Sequence, residues 1–184
     1  MGRKYAIRDQ EAIFFVTFTV VNWIDLFFRD EYKQIIINSL IYCQQNKGLN
    51  IHAYCIMTSH IHLILRVNWG HNLLDAIRDM KSHTSTQLKL SINGNTKESR
   101  KEWIIWMFER TGKKNKRNSD FQLWQHHNHP IELNSIEMLS QRLDYIHNNP
   151  VEAGFADDPC AWVWSSCAAY EKGVEGKLDL IFIE

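Results

Sequence analysis

The sequence predicts an α+β fold built on a ferredoxin-like antiparallel sheet, and three observations support this class. Strand-like and helix-like segments follow the order β-α-β-β-α-insertion-β-α, which is the split βαβ plan with one extra helix. Two of the strand-like runs are joined by a short polar turn, as in a β-hairpin. Hydrophobic residues form 45% of the 184 residues, which is enough for a sizeable core. We therefore expect a single domain over residues 1–184, with helices on one face of the sheet and the other face open for binding.

The N-terminal third of the chain supplies three strands and one helix. Ile13–Val21 is β-branched and aromatic, which predicts a strand. Asp30 is a candidate cap for a helix over Glu31–Gln45, where apolar residues recur at roughly the helical period of 3.6. Ile51–Met57 and His60–Val67 have the same strand character as the first run, and together they predict a hairpin.

The middle of the chain is less regular. A second helix is predicted over Asn72–Leu90. Residues 91–119 form an insertion that contains one short predicted helix, Glu102–Arg110. Phe121–Leu133 predicts a further strand. Four tryptophans of the second half are expected to lie mainly in the core: Trp103, Trp106, Trp162 and Trp164.

The extra C-terminal helix carries a tyrosine away from its apolar side. Ser135 is a candidate cap for a helix over Ile136–Asn148, which we expect to end at the Asn-Pro pair that follows it. Its apolar stripe spans about 80° of arc, and Tyr145 lies about 140° from the centre of that stripe. Helical phase alone leaves open whether Tyr145 is a surface residue or a reactive group. Asn149 at i+4 and Arg142 at i−3 project near it.

Composition and charge exclude some classes of function. No apolar run approaches the roughly 20 residues of a membrane-spanning helix, and the N-terminus lacks the apolar stretch of a secretory signal. We therefore expect a cytoplasmic protein with no membrane partner. The 21 Lys and Arg residues balance the 21 Asp and Glu residues, so net charge does not indicate a nucleic-acid partner, although local patches decide such contacts. The four cysteines form no C-x-x-C pair and are interpreted as reduced thiols.

The triplet His60-Ile61-His62 is a candidate metal site. Side chains alternate along a strand, so both imidazoles point to the same face. Two imidazoles in that arrangement can hold one divalent cation and leave positions for substrate oxygens. A nearby tyrosine could then attack a polarised phosphodiester. Histidines with this spacing also occur where they only satisfy buried hydrogen bonds, so spacing alone leaves both interpretations open.

A basic segment in the insertion is the candidate for contacts with phosphates. Its alternative interpretation is a solvated turn with no ligand. The five cations of this segment are Arg110, Lys113, Lys114, Lys116 and Arg117.

Two motifs in a fixed order resemble a known family. Met57–Ile64 contains the paired histidines, and Tyr145–Gly154 follows downstream. Together they resemble the His-hydrophobic-His single-strand DNA transposases of the IS200-like class (Y1, HUH-type), and within that class the REP-associated tyrosine transposases. The resemblance covers about residues 10–170, and it departs from the family at Thr58-Ser59, where relatives have Pro-Asn. Weaker similarities lie at Phe15–Phe18, Trp124-Gln125, Trp164–Ser166 and Tyr170.

The resemblance implies an enzyme that cleaves and rejoins DNA at hairpin sites, such as palindromic repeats, through a 5′-phosphotyrosine. Tyr145 matches the nucleophile of the family. His60 and His62 match its two metal-binding histidines, and Asn149 matches the position of a third metal ligand. The implied cation is Mg²⁺ or Mn²⁺, and the implied partner is single-stranded or hairpin DNA. Relatives include monomers and homodimers, so both states stay open.

Two other functions fit the same residues. The first is a non-catalytic, hairpin-binding nucleic-acid-binding protein derived from a transposase. The second is a metal-dependent phosphodiesterase that uses water, in which Tyr145 is only structural. The presence of His60, His62 and Tyr145 together favours the transposase over the first alternative.

Overall fold

The computed structural model, which describes residues 9, 11–114, 120–126 and 130–183, contains one antiparallel sheet of four strands in that part of the chain. The strands are β1 (Phe14–Thr19), β2 (Leu49–Ile56), β3 (His60–Val67) and β4 (Ile131–Glu132). Their order across the sheet is β2-β3-β1-β4, so β3 lies between the first two strands as the split βαβ plan requires. The predicted fold class is confirmed.

Five α-helices surround the sheet in the described part of the chain. They are α1 (Asp30–Asn46), α2 (Leu73–Gly94), α3 (Lys101–Lys113), α4 (Ile136–Glu152) and α5 (Cys167–Lys172). Single 3₁₀ turns lie at Val21–Trp23, Leu26–Phe28 and Pro159–Ala161. None of the described helices is long and apolar enough to cross a bilayer. The four cysteines are free thiols.

Helices α1 and α2 cover one face of the sheet. Because side chains alternate along β3, Ile61, Leu63 and Leu65 point into this larger core. Ile36 and Leu40 of α1 pack against the same core and are fully buried. Close packing on this face fixes the backbone of the strands.

The other face is partly covered by α4. Ile146 of α4 joins Phe15, Cys55 and Ile64 in a second, smaller apolar cluster. The expectation that this face is open is therefore wrong where α4 packs on β2 and β3. The physical reason is that the apolar stripe of an amphipathic helix must itself be buried against a partner surface.

The predicted cap of the first helix is also wrong. Asp30 is the first residue of α1, and its carboxylate makes no capping hydrogen bond. Instead, the carboxylate accepts hydrogen bonds from Lys33 Nζ at 2.9 Å and from Trp164 Nε1 at 3.0 Å. These side-chain donors compete with the backbone amides of the first turn for the same carboxylate.

The strand predicted over Phe121–Leu133 is much shorter in the structure. Its described residues form only β4 and one isolated bridge between Trp124 and Val20. Pro130, just before β4, has no backbone N–H to give to a sheet, which limits the pairing on that side.

The last turn of α4 includes a proline, contrary to the prediction that the helix ends before it. Pro150 lies inside α4, and the helix continues to Glu152. The backbone N–H of Ala153 donates to the carbonyl of Asn149, and Gly154 follows with a φ of 73°. A proline in the last turn of a helix costs one backbone hydrogen bond, and packing of α4 against the sheet maintains the helix. As a result, Asn149 keeps its helical position.

The described part of the predicted insertion, residues 91–114, is more regular than predicted. Helix α2 extends to Gly94, and the predicted short helix is confirmed and longer, as α3. Arg110 and Lys113 therefore lie on a helix and not in a loop.

Candidate active site

Strand β3 presents both histidines on the face that α4 partly covers. His60 lies opposite Thr19 of β1, and His62 lies opposite Thr17. The centroids of the two imidazole rings are 4.7 Å apart, with the ring planes at 74°. The alternation of strand side chains thus brings the two rings together.

Only one ring nitrogen of His62 has a hydrogen-bond partner among the residues that the structure describes. Nδ1 lies 2.9 Å from Oγ1 of Thr17, whereas Nε2 is buried and makes no hydrogen bond. Burial, reinforced by the neighbouring His60 and Arg142, lowers the pKa of His62 to about 3. The ring is therefore neutral at physiological pH, which is the form that binds metals. In the tautomer whose Nδ1–H donates to Thr17, the lone pair of Nε2 is free for a cation.

His60 is in contact with Asn149 of α4. The side chain of Asn149 is buried and lies close enough to His60 to act on the pKa of its imidazole. Nδ1 of His60 lies 3.2 Å from Oγ of Ser59. Burial lowers the pKa of His60, and the neighbouring amide of Asn149 opposes that change. Because α4 continues through Pro150, the amide is held one turn beyond Tyr145.

The donor set of these side chains fits a divalent cation. An unpartnered buried nitrogen such as Nε2 of His62 carries a desolvation cost, which a bound ion would remove. Neutral imidazoles and an amide suit Mn²⁺ and other transition ions better than Mg²⁺. No three His, Cys, Asp or Glu side chains of the described residues could hold an ion. The candidate set is therefore His60, His62 and Asn149, completed by oxygens of substrate or water.

Tyr145 lies beside the paired histidines in the same chain. Its ring centroid is 5.2 Å from that of His62 and 6.0 Å from that of Phe15, both in edge-to-face contact. The side chain is 37% exposed, so substrate can reach it from solvent. The guanidinium of Arg142 lies 4.9 Å from the centroid of the Phe15 ring and 5.9 Å from that of Tyr145, which brings a positive charge to the tyrosine.

A family model described as "Transposase IS200 like" matches residues 18–107, about half of the chain. The chain belongs to the IS200-like transposase family. The matched segment of this transposase-family chain contains both histidines, whereas Tyr145 and Asn149 lie beyond it. Geometry, and not the family match, therefore connects α4 with the histidines. No curated protein matches the sequence significantly.

Solved structures that are similar to this IS200-like chain include the following two. A REP-associated tyrosine transposase bound to a REP hairpin aligns with a TM-score of 0.68 over 100% of this chain and 94% of that chain, at 15% identity. At that identity the similarity shows the fold. A transposase candidate from Deinococcus radiodurans R1 aligns with a TM-score of 0.43 over 80% of this chain and 95% of that chain, at 18% identity.

The predicted phosphate-binding residues fall on and after α3 of this family member. Arg110 lies on α3 with its guanidinium 5.0 Å from the centroid of the Trp106 ring, and Trp103 and Trp106 are both about half exposed. The expectation that these two tryptophans are core residues is wrong, because Ile104 and Phe108 form the buried side of α3. The remaining predicted cations are Lys113 at the end of α3, Lys114 as its cap, and Lys116 and Arg117, which lie outside the described residues.

Two further residues at the site were not predicted from the sequence. Thr17 orients His62, and it could have been found by placing β1 beside β3 and pairing residues along the two strands. Trp23 has its ring 5.4 Å from that of His60, centroid to centroid. No sequence pattern indicates this contact, because the bend that follows β1 creates it.

Proposed function

We propose that this protein cleaves and rejoins single-stranded DNA at hairpin sites through a covalent link to Tyr145. The observation that carries the proposal is that the rings of His60, His62 and Tyr145 lie together in one chain, with Nε2 of His62 buried and unpartnered. Three other buried side-chain atoms of the described residues, in Ser39, His52 and Arg66, are unpartnered as well, so the proposal depends on the grouping of the three rings and not on this nitrogen alone.

The proposed reaction is a transesterification. The phenol oxygen of Tyr145 loses its proton to water and attacks the phosphorus of a phosphodiester. A new P–O bond to tyrosine forms as the bond to the 3′-oxygen breaks, and the departing oxygen takes up a proton to become a 3′-hydroxyl. The product is a 5′-phosphotyrosine. Attack by another DNA 3′-hydroxyl reverses these bond changes, rejoins DNA and releases Tyr145.

The roles of the other residues follow from their positions. His60, His62 and Asn149 would hold a divalent cation, Mg²⁺ or Mn²⁺. Such a cation, when bound, neutralises charge on the phosphate and favours attack on phosphorus. In the tautomer that leaves Nε2 of His62 free for the cation, Thr17 accepts a hydrogen bond from Nδ1–H and orients the ring. Arg142 adds positive charge beside Tyr145, where the phosphate must arrive.

The substrate class is supported by the chain's fold and by its surface. The REP-associated transposase that shares the fold is bound to a REP hairpin, so we propose a DNA hairpin with adjoining unpaired strand as the partner here. On α3, the exposed Trp103 and Trp106 lie beside Arg110, a combination suited to bases and phosphates. Lys113 and Lys114 extend the positive charge of this helix. Since the proposed substrate is cellular DNA, we also propose a cytoplasmic location.

The deciding experiment uses labelled hairpin DNA with a single-stranded extension, in Mg²⁺ or Mn²⁺. We expect a protein–DNA adduct that survives SDS in the wild-type protein and is absent in Tyr145→Phe. Tyr170→Phe is the matched control and should still form the adduct, since Tyr170 donates a hydrogen bond to the carbonyl of His52 away from the histidine pair. Cleavage that persists in Tyr145→Phe would indicate hydrolysis by water. Binding without any cleavage would indicate a non-catalytic hairpin-binding protein.

A further inference from the structure

The bend after β1 holds one large aromatic side chain at the edge of the site. We propose that Trp23 is a stacking platform for an unpaired nucleobase next to the phosphodiester that Tyr145 attacks. This inference rests on the proposed function and adds a binding site for one base to it.

The backbone of this bend is strained. Asn22 has a φ of 57° and Trp23 a φ of 55°, and they are the only non-glycine residues with positive φ among the residues that the structure describes. Asparagine tolerates the left-handed region, whereas a bulky aromatic residue is rare there. Strain of this kind persists only where surrounding contacts impose it, and it is concentrated at functional sites.

Contacts on both sides of Trp23 impose this conformation. Val21 and Ile24 are buried, and the backbone N–H of Val21 donates to the carbonyl of Leu123 at 2.8 Å. The side-chain amide of Asn22 donates to Oγ1 of Thr111 on α3 at 3.2 Å. The residues around Trp23 are thus anchored in the core and on α3. Its own side chain is left 59% exposed.

The exposed ring borders the candidate metal site. Its centroid is 5.4 Å from that of His60, with the planes at 70°, so the edge of one ring meets the face of the other. A phosphate held at the histidines would have its neighbouring nucleotides within reach of this ring. Unpaired bases stack on such aromatic platforms with little regard to sequence. The ligand that fits is therefore a nucleobase of the single-stranded segment, without a requirement for one particular base.

A second exposed tryptophan provides a matched control. Trp69 is 87% exposed and follows β3 at Val67, the end opposite to His60. It has the same chemistry and even greater exposure, but it is separated from the histidines by the length of a strand. Of these two tryptophans, only Trp23 should affect the binding of unpaired DNA next to the histidines.

The test measures binding by fluorescence anisotropy in Tyr145→Phe protein, so that cleavage does not interfere. The probe is a labelled hairpin with a single-stranded extension, intact or with one abasic position moved along the extension. Adding Trp23→Asn keeps a residue that tolerates the left-handed backbone but removes the stacking surface. We expect about tenfold weaker binding of intact DNA, whereas Trp23→Phe retains most of the affinity and Trp69→Asn retains all of it.

The abasic series locates the base. At one position, loss of the base should weaken DNA binding about tenfold in the protein that keeps Trp23. Loss of the same base should not weaken DNA binding any further in Trp23→Asn. Unchanged affinity of Trp23→Asn, or equal losses at every abasic position in both proteins, would overturn the proposal. The adduct assay described under the proposed function distinguishes failure of the stacking site from failure of the proposed cleavage. An adduct together with unchanged Trp23→Asn binding overturns the stacking site alone, whereas Trp23-dependent binding without any adduct overturns only the proposed cleavage.

Discussion

The two faces of the sheet differ in what they bury. On the face covered by α1 and α2, β3 contributes only apolar residues, and the core there is closed. On the face partly covered by α4, the same strand contributes His60 and His62, and a buried nitrogen is left without a partner. One strand therefore stabilises the fold with one set of side chains, and in the proposed function it presents the reactive groups with the alternate set. We call the face with His60 and His62 the reactive face and the face covered by α1 and α2 the closed face, which holds the backbone of the strands in place.

The largest expected effect follows from removing a histidine of the reactive face. His60→Ala should reduce adduct formation at least about 100-fold, because the metal set loses a ligand. DNA affinity should fall only slightly, since contacts with the backbone are spread over many residues. Adduct yield and anisotropy titrations measure the two effects separately. Parallel loss of cleavage and binding would show that the two faces are not divided in this way.

Neighbouring residues of β3 offer the sharpest contrast in stability. Leu63→Ala should lower the free energy of unfolding by about 2–5 kcal/mol, because it opens a cavity in the closed core. His62→Ala should lower it by less than about 1 kcal/mol, since the lost ring contacts are offset by removal of an unsatisfied polar atom. Urea denaturation of both variants without metal provides the comparison. A greater loss in His62→Ala would mean that this histidine is mainly structural.

A divalent metal ion should stabilise the folded protein by binding only at the histidine pair of the reactive face. Mn²⁺ at about 100 times its Kd should add about 2.7 kcal/mol to the free energy of unfolding, and Mg²⁺ at the same concentration should add less. Thermal denaturation should show no such gain in His62→Ala. The matched control is His52→Ala, because His52 also has a buried, unpartnered Nε2 but lies outside the histidine pair. If His52→Ala also lost the stabilisation by Mn²⁺, the ion would bind away from the histidine pair.

The smallest expected effect comes from removing the ion pair between Arg29, just before α1, and Glu98, in the segment just before α3. Glu98 is buried and accepts from Nε of Arg29 at 2.7 Å. Burial acts to raise the pKa of Glu98, but the hydrogen bonds from Arg29 and Arg100 prevail and hold it below the ordinary value of 4.5. Its contribution is therefore present above pH 4.5 and is lost as pH falls through the lower folded value.

Glu98→Gln should accordingly destabilise the protein by about 1 kcal/mol at pH 7. The difference from the wild type should shrink as pH falls below 4.5, and adduct formation at pH 7 should not change. Urea titrations at several pH values measure this difference. A constant difference across that range would contradict the ion pair, and a change in cleavage would connect the closed side of the molecule with the chemistry.

The sequence predicted features that depend on local spacing. Alternation along His60–Val67 placed the two histidines on one face, and Ser135 is confirmed as a cap, since its side chain accepts a hydrogen bond from the backbone N–H of Met138. Features that depend on tertiary contacts were missed. Packing against the sheet carries α4 through Pro150, and anchors in the core and on α3 impose the positive φ of Trp23. Neither effect is visible in the local sequence.

The position of Tyr145 depends both on local helical phase, which the sequence shows, and on tertiary packing, which it does not. Helical phase placed it off the apolar stripe, and the structure places it at the flank of α4, beside His62. The contact face of α4 is shifted from the apolar stripe, since His147, Asn149 and Pro150 are buried whereas Ile136 of the stripe is 72% exposed. The sequence could not show this rotation, because it is set by how the helix packs on β2 and β3.

The most direct test of the central claim is to map the covalent adduct. Trypsin cleaves after Arg142 and next after Lys172, so Tyr145 and Tyr170 fall on one peptide, which fragmentation in a mass spectrometer can resolve. We predict that the nucleotide mass is found on Tyr145 in the wild-type protein and on no residue in His62→Ala. A nucleotide attached to Tyr170 or to any other residue, or an adduct that forms equally without His62, would contradict the account.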